Sequence, residues 1–582
     1  MFGRRKSFSR DIRNANIDPD EVLLDAFNLP SFDTNQFEGR VERAIGGRVS
    51  AFVGIVFMIV FTGFLFQAWN LQVARGEALA LLSQQNRLDK EVLFAERGVI
   101  YDRLGQELAW NVAPSDSLEE QADGKTFSLR AYTSQHGLGH LLGFIGYPEK
   151  DSSGFWWRTN YVGKTGIEAT FNDVLEGENG NRIIEVDALD NVQSQNIIRD
   201  PVDGENVTLS IDADVQEAMF RAIRDGVETA GFIAGAGVVM DVETGEIIAI
   251  TNYPEFSSQV MTDGVDEKVI QGYAQAKAQP FLNRAVSGLY TPGSIVKPFI
   301  ASAALSEKII DPATRILSTG QLVVPNKYNP DLPSIFRDWK AHGWVNMREA
   351  IAVSSDVYFY EVGGGFETQR GLGIERIDDY MKRFGFGQAP GSIFPNEAEG
   401  VIPTPEWKAH EFNNDPWRVG DTYITAIGQY GFQVSPLQVV RAVASLANGG
   451  TLLTPVIEVG AGREGTSVGV DDAYLQVARE GMELAVDDPV EGTAKAIKVS
   501  GISLAGKTGT AQLGYHNEWM NSWVVGFWPA ENPKFAFAVV LEKAPAHTLR
   551  GAAPSMRSFF EWLVRERPEY AKGEYPTEPI KK

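Results

Sequence analysis

The spacing of apolar and polar residues divides the chain into stretches with distinct periods. From Val49 to Ala74 no residue is charged, and the run includes AFVGIVFMIVFTGFLF. As a helix it would be about 39 Å long, against about 30 Å of bilayer hydrocarbon. It is apolar on every face, so it reads as a transmembrane helix rather than a core helix with one wet side. Residues 75–90 keep a helical spacing. Residues 91–200 change to glycine-rich, short β-like runs such as GVIYDRLGQELAW and RIIEVDAL, which predict a small β-rich domain. Beyond 201, NVTLSIDADVQEAMFRAIRDGVE predicts a strand, an Asp cap and an amphipathic helix. AGVVMDVETGEIIAIT predicts a hairpin turning at Thr244-Gly245. A second hairpin is predicted in SWVVGFWPAENPKFAFAVVLEK, turning at 529–533, with AGKTGTAQ as a fifth strand beside it and a closing helix over 552–566. Between the hairpins, SPLQVVRAVASLANGG is helical, with Ser435 as cap, Pro436 in the first turn and Gly449 at the stop. Strands at both ends with helices between them predict an α+β fold, an antiparallel sheet flanked by helices.

Charge sets the orientation. Arg40, Arg43 and Arg48 precede the apolar run and only Arg75 closely follows it, which keeps the N-terminus in the cytoplasm and puts the rest outside. The run starts too late, is too long and lacks a nearby small-residue site for a cleaved signal peptide. Residues 1–48 open with GRRKSFSR and carry eight Lys/Arg and eight Asp/Glu. They read as a largely disordered cytoplasmic tail in which DPDEVLLDAFNLP forms a short helix. The net charge of −23 therefore belongs to residues 49–582. With 53 Lys and Arg against 76 Asp and Glu, nucleic acid is not an expected partner, since phosphate binding needs a basic footprint. The absence of cysteine excludes disulfides, zinc ribbons, iron–sulfur clusters and a thiol nucleophile. No metal or cofactor is expected.

The candidate chemistry lies in three motifs. TPGSIVKPF holds Ser294 and Lys297, the chain's single S-x-x-K. Pro298 is tolerable only in the first turn of a helix, so Ser294 belongs at its N-terminus. Positions i and i+3 share a helix face, which brings the Lys297 amine to the Ser294 hydroxyl, and a neutral amine there can remove the serine proton. The second motif is Ser354-Ser355-Asp356 in IAVSSDVYFYEVG; of five S-x-[DN] matches, those at Ser9, Ser31, Ser194 and Ser210 precede Ser294. Taken alone, the same residues could instead form a helix cap, with Ser and Asp serving the backbone. The third motif is Lys507-Thr508-Gly509 in AGKTGTAQ, on the predicted edge strand, where free N–H groups can receive an extended peptide. Its glycine permits close backbone approach, and Lys507 offers a cation for a substrate carboxylate and for keeping Lys297 neutral. A second KTG at Lys164 precedes the serine and reads as structural. The ordered triple, at intervals of 60 and 153 residues, is the mark of penicillin-binding proteins and serine β-lactamases.

Rival motifs fall short. GISLAGKT at 501–508 fits a phosphate loop, but TAQLGYHNEW after it is not helical, and the segment lies outside the cell, where ATP is scarce. His136 and His140 in HGLGH lack the glutamate of a zinc-protease helix. GTSVG around Ser467 sits in a glycine-rich loop, not between a strand and a helix.

Over most of residues 85–565 the sequence resembles class B penicillin-binding proteins. The likeness is carried by ERGVIYDRLGQELA, GKTGIEATFNDVLEG, NRAVSGLYTPGSIVKPF, FRDWKAHGWVNMREAIAVSSDVYFYEVG and AGKTGTAQ. Within that class SSD, with VYFY and FRDWK nearby, is similar to the elongation type, penicillin-binding protein 2; septal relatives usually carry Asn in place of Asp356. The resemblance implies four parts: a tail over 1–48, a membrane helix over 49–74, a pedestal (dimerisation-like) domain over 75–200 and a transpeptidase domain over 201–582. It implies a D,D-transpeptidase in which Ser294 attacks the bond between two terminal D-alanines while Lys297 takes its proton. Backbone N–H groups of Ser294 and Thr510 form the oxyanion hole, and Ser354 and Asp356 relay a proton to the leaving D-alanine. Lys507, Thr508 and Thr510, with Gly509 on the same strand, hold the donor's carboxylate. Implied partners are stem peptides or their lipid-linked precursor, β-lactams, a multi-span glycan polymerase of the SEDS family and other elongation proteins. The family usually inserts a larger head after the segment matching GQELAW; here only Asn111–Lys125 stands there. A D,D-carboxypeptidase or β-lactamase-type hydrolase is the alternative within this chemistry, and a silent penicillin sensor or scaffold is the alternative outside it.

Overall fold

The computed structural model describes residues 47–76, 88–113, 126–186, 192–326, 329, 331–461 and 464–580. The short helix expected at DPDEVLLDAFNLP and most of the reduced head, 114–125, lie outside the described residues. The chain divides into two compact units. The smaller contains the helix Gly47–Trp69, prolonged by a π-helical turn over Asn70–Ala74. Ala51–Ala74 is long and apolar enough to cross a bilayer, and none of it is buried against protein.

The helical spacing expected to continue to residue 90 does not hold at its end. Leu88–Leu93 is a strand, and 77–87 lie outside the described residues. LDKEVL satisfies either period over so short a span, and strand propensity is decided by context.

In the larger unit the segment up to about 209 is β-rich, as predicted. A four-stranded sheet runs in the order Val207–Thr208, Ile100–Tyr101, Glu107–Val112, Leu129–Tyr132. Beside it, buried Glu168 accepts from Arg97 Nε at 2.6 Å and Arg130 Nε at 2.7 Å. Two cations on one buried carboxylate tie the segment at Arg97 and the strand Leu129–Tyr132 to the helix Gly166–Thr170, and loss of Glu168 would strand both charges. The second KTG lies here. A Cβ on Gly166 (φ +61°) would stand 2.5 Å from the Leu141 carbonyl oxygen, so this glycine serves packing within the β-rich segment.

The remainder is α+β around one five-stranded antiparallel sheet. Its order is Ile247–Tyr253, Ala234–Asp241, Phe535–Pro545, Trp519–Trp528, Ala505–Leu513. Both predicted hairpins are present, and the strand carrying AGKTGTAQ forms an edge of the sheet. The central strand is buried on both faces. Its Ala536, Ala538 and Val540 join the core shared with helices Lys297–Ser306 and Pro436–Ala447. Phe535, Phe537, Val539 and Leu541 join the core with helices Ala213–Ala230 and Ala552–Glu566. This two-residue alternation sandwiches the sheet between helical layers. The expected caps are in place: Asp212 accepts from Asp214 and Val215 N–H, and Ser435 accepts from Gln438 N–H.

Candidate active site

Ser294 lies in a 3₁₀ turn, Gly293–Val296, that runs into the helix Lys297–Ser306 with Pro298 in its first turn. Gly293 adopts φ +58°, and a Cβ there would stand 2.9 Å from the Thr510 carbonyl oxygen. Its N–H donates to Gly428 O at 2.9 Å. Gly509 faces the same turn across a close backbone approach. A Cβ at 509 would lie 2.7 Å from Pro292 O and 2.9 Å from Ile295 Cγ2. The glycines therefore let the serine turn sit against the edge strand, so that Ser294 and Thr510 border one cleft.

The middle motif occupies the break between helices Met347–Ala352 and Asp356–Gly364. Ser354 takes φ +59°, the left-handed conformation that often closes a helix and usually falls to glycine. A serine held there is a strained site of the kind found in working clefts. Ser355, rather than Ser354 or Asp356, is the helix cap, accepting from Tyr358 N–H. The cap reading of this motif is thus correct for one residue, and it leaves Ser354 and Asp356 available to the cleft.

The three motifs converge. Lys297 Nζ donates to Ser354 O at 2.7 Å, Ser354 Oγ at 3.3 Å and Asp356 Oδ1 at 2.6 Å. Lys507 Nζ donates to Ser354 Oγ at 2.8 Å and to its neighbour's carbonyl, Thr508 O, at 2.9 Å. Ser354 Oγ thus stands between the two amines. Ser294, Ser354, Asp356, Thr508 and Thr510 line a cleft of about 1290 Å³.

Two details differ from the sequence expectation. Among the described residues no hydrogen bond joins Ser294 to Lys297; the amine is held instead by Asp356 and Ser354. A carboxylate competes better than a hydroxyl for an ammonium, and catalytic hydrogen bonds commonly tighten only when substrate is present. Lys507, in turn, is fully buried rather than presented at the strand's open side. Side chains alternate along a strand, so Thr508, Thr510 and Gln512 face the cleft while Lys507 points inward. Burial, and then the neighbouring charge of Lys297, push the Lys507 amine well below its ordinary range, with Asp356 opposing. Burial raises the Asp356 carboxyl, against the pull of Lys297.

Residues that no motif named also border the site. Gln429 Nε2 donates to Thr510 O at 3.4 Å, tying the edge strand to the 427–431 loop. Asp338 lies directly behind the SSD turn. The only sequence signal for it is its place in FRDWK.

Residues 235–561 match the family of the penicillin binding protein transpeptidase domain. The chain belongs to this family. Residues 121–209 of this penicillin-binding transpeptidase match the penicillin-binding protein dimerisation domain. A peptidoglycan D,D-transpeptidase MrdA from Acinetobacter baumannii is 32% identical over 475 residues, covering 76% of this chain and 67% of its own length. Among solved structures, the complex between penicillin-binding protein 2 and MreC from Helicobacter pylori aligns with TM-score 0.67 at 28% identity, covering 82% of this chain and 99% of its own. A structure described as coordinating polymerization and crosslinking by a peptidoglycan synthase complex aligns with TM-score 0.68 at 25% identity, covering 88% and 98%.

Proposed function

We propose that the protein is a peptidoglycan D,D-transpeptidase that cross-links stem peptides during cell elongation, with Ser294 as nucleophile. The observation that best supports this reading is the placement of Ser354 Oγ between the amines of Lys297 and Lys507 beside the cleft that Ser294 enters. Ser294 Oγ attacks the carbonyl carbon between the two terminal D-alanines, and its proton passes to Lys297. Lys297 must first yield its own proton, and Asp356, raised by burial, is placed 2.6 Å away to hold it. The tetrahedral oxyanion faces the backbone N–H groups of Ser294 and Thr510. The carbon–nitrogen bond breaks, Ser354 and Asp356 pass a proton to the departing D-alanine, and an ester remains on Ser294. A neighbouring stem peptide's amine then attacks that ester, forming the new amide and returning the proton to Ser294 Oγ.

Thr508 and Thr510, with Gly509 between them, receive the donor along the strand edge. Lys507 stands behind them, and an arriving carboxylate favours recharging its amine. A β-lactam enters the same route but leaves an ester that water releases slowly.

The apolar helix anchors the enzyme in the membrane, and the reading places its N-terminus in the cytoplasm on the arginine balance. Glycan polymerisation is assigned to a multi-span partner of the SEDS type, within an elongation complex. The relatives solved with MreC and within a synthase complex support this reading. In a purified assay with lipid-linked precursor and a polymerase, cross-linked dimers are expected and vanish with Ser294→Ala. Free D-alanine without dimers would instead assign a hydrolase.

A further inference from the structure

Behind the SSD turn lies a second carboxylate that the acyl transfer does not use. Asp338, in the loop after the strand Ser334–Arg337, is buried, and its Oδ2 accepts three hydrogen bonds. They come from Ser355 Oγ at 2.9 Å, Val357 N at 3.0 Å and Ser318 Oγ at 3.1 Å. Oδ1 accepts from Trp339 N at 2.8 Å, and His342 Nε2 lies 3.5 Å from it. Two of these donors belong to the first turn of the helix Asp356–Gly364, where a negative charge is favoured. One donor, Ser355, is the residue between Ser354 and Asp356. A carboxylate held in this way clamps the turn that presents Ser354 to both lysines and Asp356 to Lys297. Burial alone would raise the Asp338 carboxyl, but His342, Val357 N–H and the charge of Lys297 outweigh it and hold it at about 2. Asp338 is therefore an anion throughout the working range, and it adds to the negative charge facing Lys297.

We propose that Asp338 is a positioning residue for acyl transfer: it fixes the Ser354–Asp356 turn and supplies a second negative charge against which Lys297 is held. The charged and titratable groups around it are Lys297 on the serine helix, Asp356 and Tyr360 on the helix it caps, and His342 on its own loop. The inference rests on Ser294 being the nucleophile. A parent protein that takes no label at Ser294 would sink that assignment, whereas Asp338→Asn tests the positioning role in a protein that does take it.

The test is the acylation of full-length protein by a fluorescent penicillin, resolving the saturating rate from the apparent Kd across pH. Asp338→Asn keeps the shape and removes the charge. Its saturating rate is expected to fall by about tenfold or more with little change in Kd. Its acidic limb is expected to move to lower pH, because the one amine that must lose a proton, Lys297, no longer faces this anion. Ser318→Ala, which keeps the charge and removes one of three bonds, should leave both the rate and the limb near those of the parent. A parental rate in Asp338→Asn, or a lost rate with an unmoved limb, would overturn the proposal; the latter would mark a merely structural role. If Asp338→Asn does not melt cooperatively, Ser355→Ala decides: a slower saturating rate with an unmoved limb supports the clamp, and an unchanged rate overturns it.

Discussion

Replacing Lys297 by methionine is expected to lower β-lactam acylation by about 1000-fold or more while the protein still folds. Methionine fills much of the same buried volume beside Phe359 but carries no proton acceptor. Without an amine at this position nothing removes the Ser294 proton, since Lys507 is tied to Ser354 Oγ and Thr508 O. The structural cost should be limited. Removing one partner of a buried ion pair is dangerous when the other must remain charged. Here the survivor, Asp356, is already raised by burial, and loss of Lys297 removes the strongest influence opposing that rise, so it can become neutral. Stopped-flow or gel-based labelling with a fluorescent penicillin, together with a thermal melt, reads both effects. Acylation within tenfold of the parent would remove Lys297 from the role of base.

The second large effect is expected at Gly509. An added methyl group in Gly509→Ala would meet Pro292 O at 2.7 Å and Ile295 Cγ2 at 2.9 Å. Backbone oxygen cannot move aside as a side-chain tip can, so the serine turn must shift away from the edge strand. Ser294 and the Thr510 N–H would then no longer share one tetrahedral centre. Misplacement by about 1 Å can cost about 100-fold in rate, and that is the loss expected in acylation. The other four strands of the sheet and both helical layers are untouched, so far-ultraviolet circular dichroism should be unchanged. A near-parental rate would mean that the turn and strand need not touch for chemistry.

Both expectations begin from motifs that the sequence displays, and the parts that were hidden have physical reasons. The hairpins at 234–253 and 519–545 were readable because alternation and turn residues are local. Their arrangement was not. The AGKTGTAQ strand pairs with the 519–545 hairpin as expected, but the pairing of that hairpin with the first, Ala234–Asp241 against Phe535–Pro545, is set by contacts across hundreds of residues. Ser294 and Lys297 announced themselves through spacing and Pro298, and the structure brings Lys297 beside Ser354 and Asp356. What spacing could not supply was the competition for the Lys297 amine, because the carboxylate that holds it is contributed by a distant helix. The inward aim of Lys507 follows from strand alternation once Thr508 and Thr510 are placed at the cleft. Asp338 stands in FRDWK, a segment of the family likeness, but no period or spacing gives it a role. It acts from an irregular loop, and its importance comes entirely from donors on two other elements.

The most direct measurement is mass spectrometry of the full-length protein after brief exposure to a β-lactam, with subsequent proteolysis. A single adduct of the drug's mass is expected on the peptide containing TPGSIVKPF, located at Ser294 and missing from Ser294→Ala. An adduct on any other residue, or an unmodified protein at saturating drug, would contradict the account.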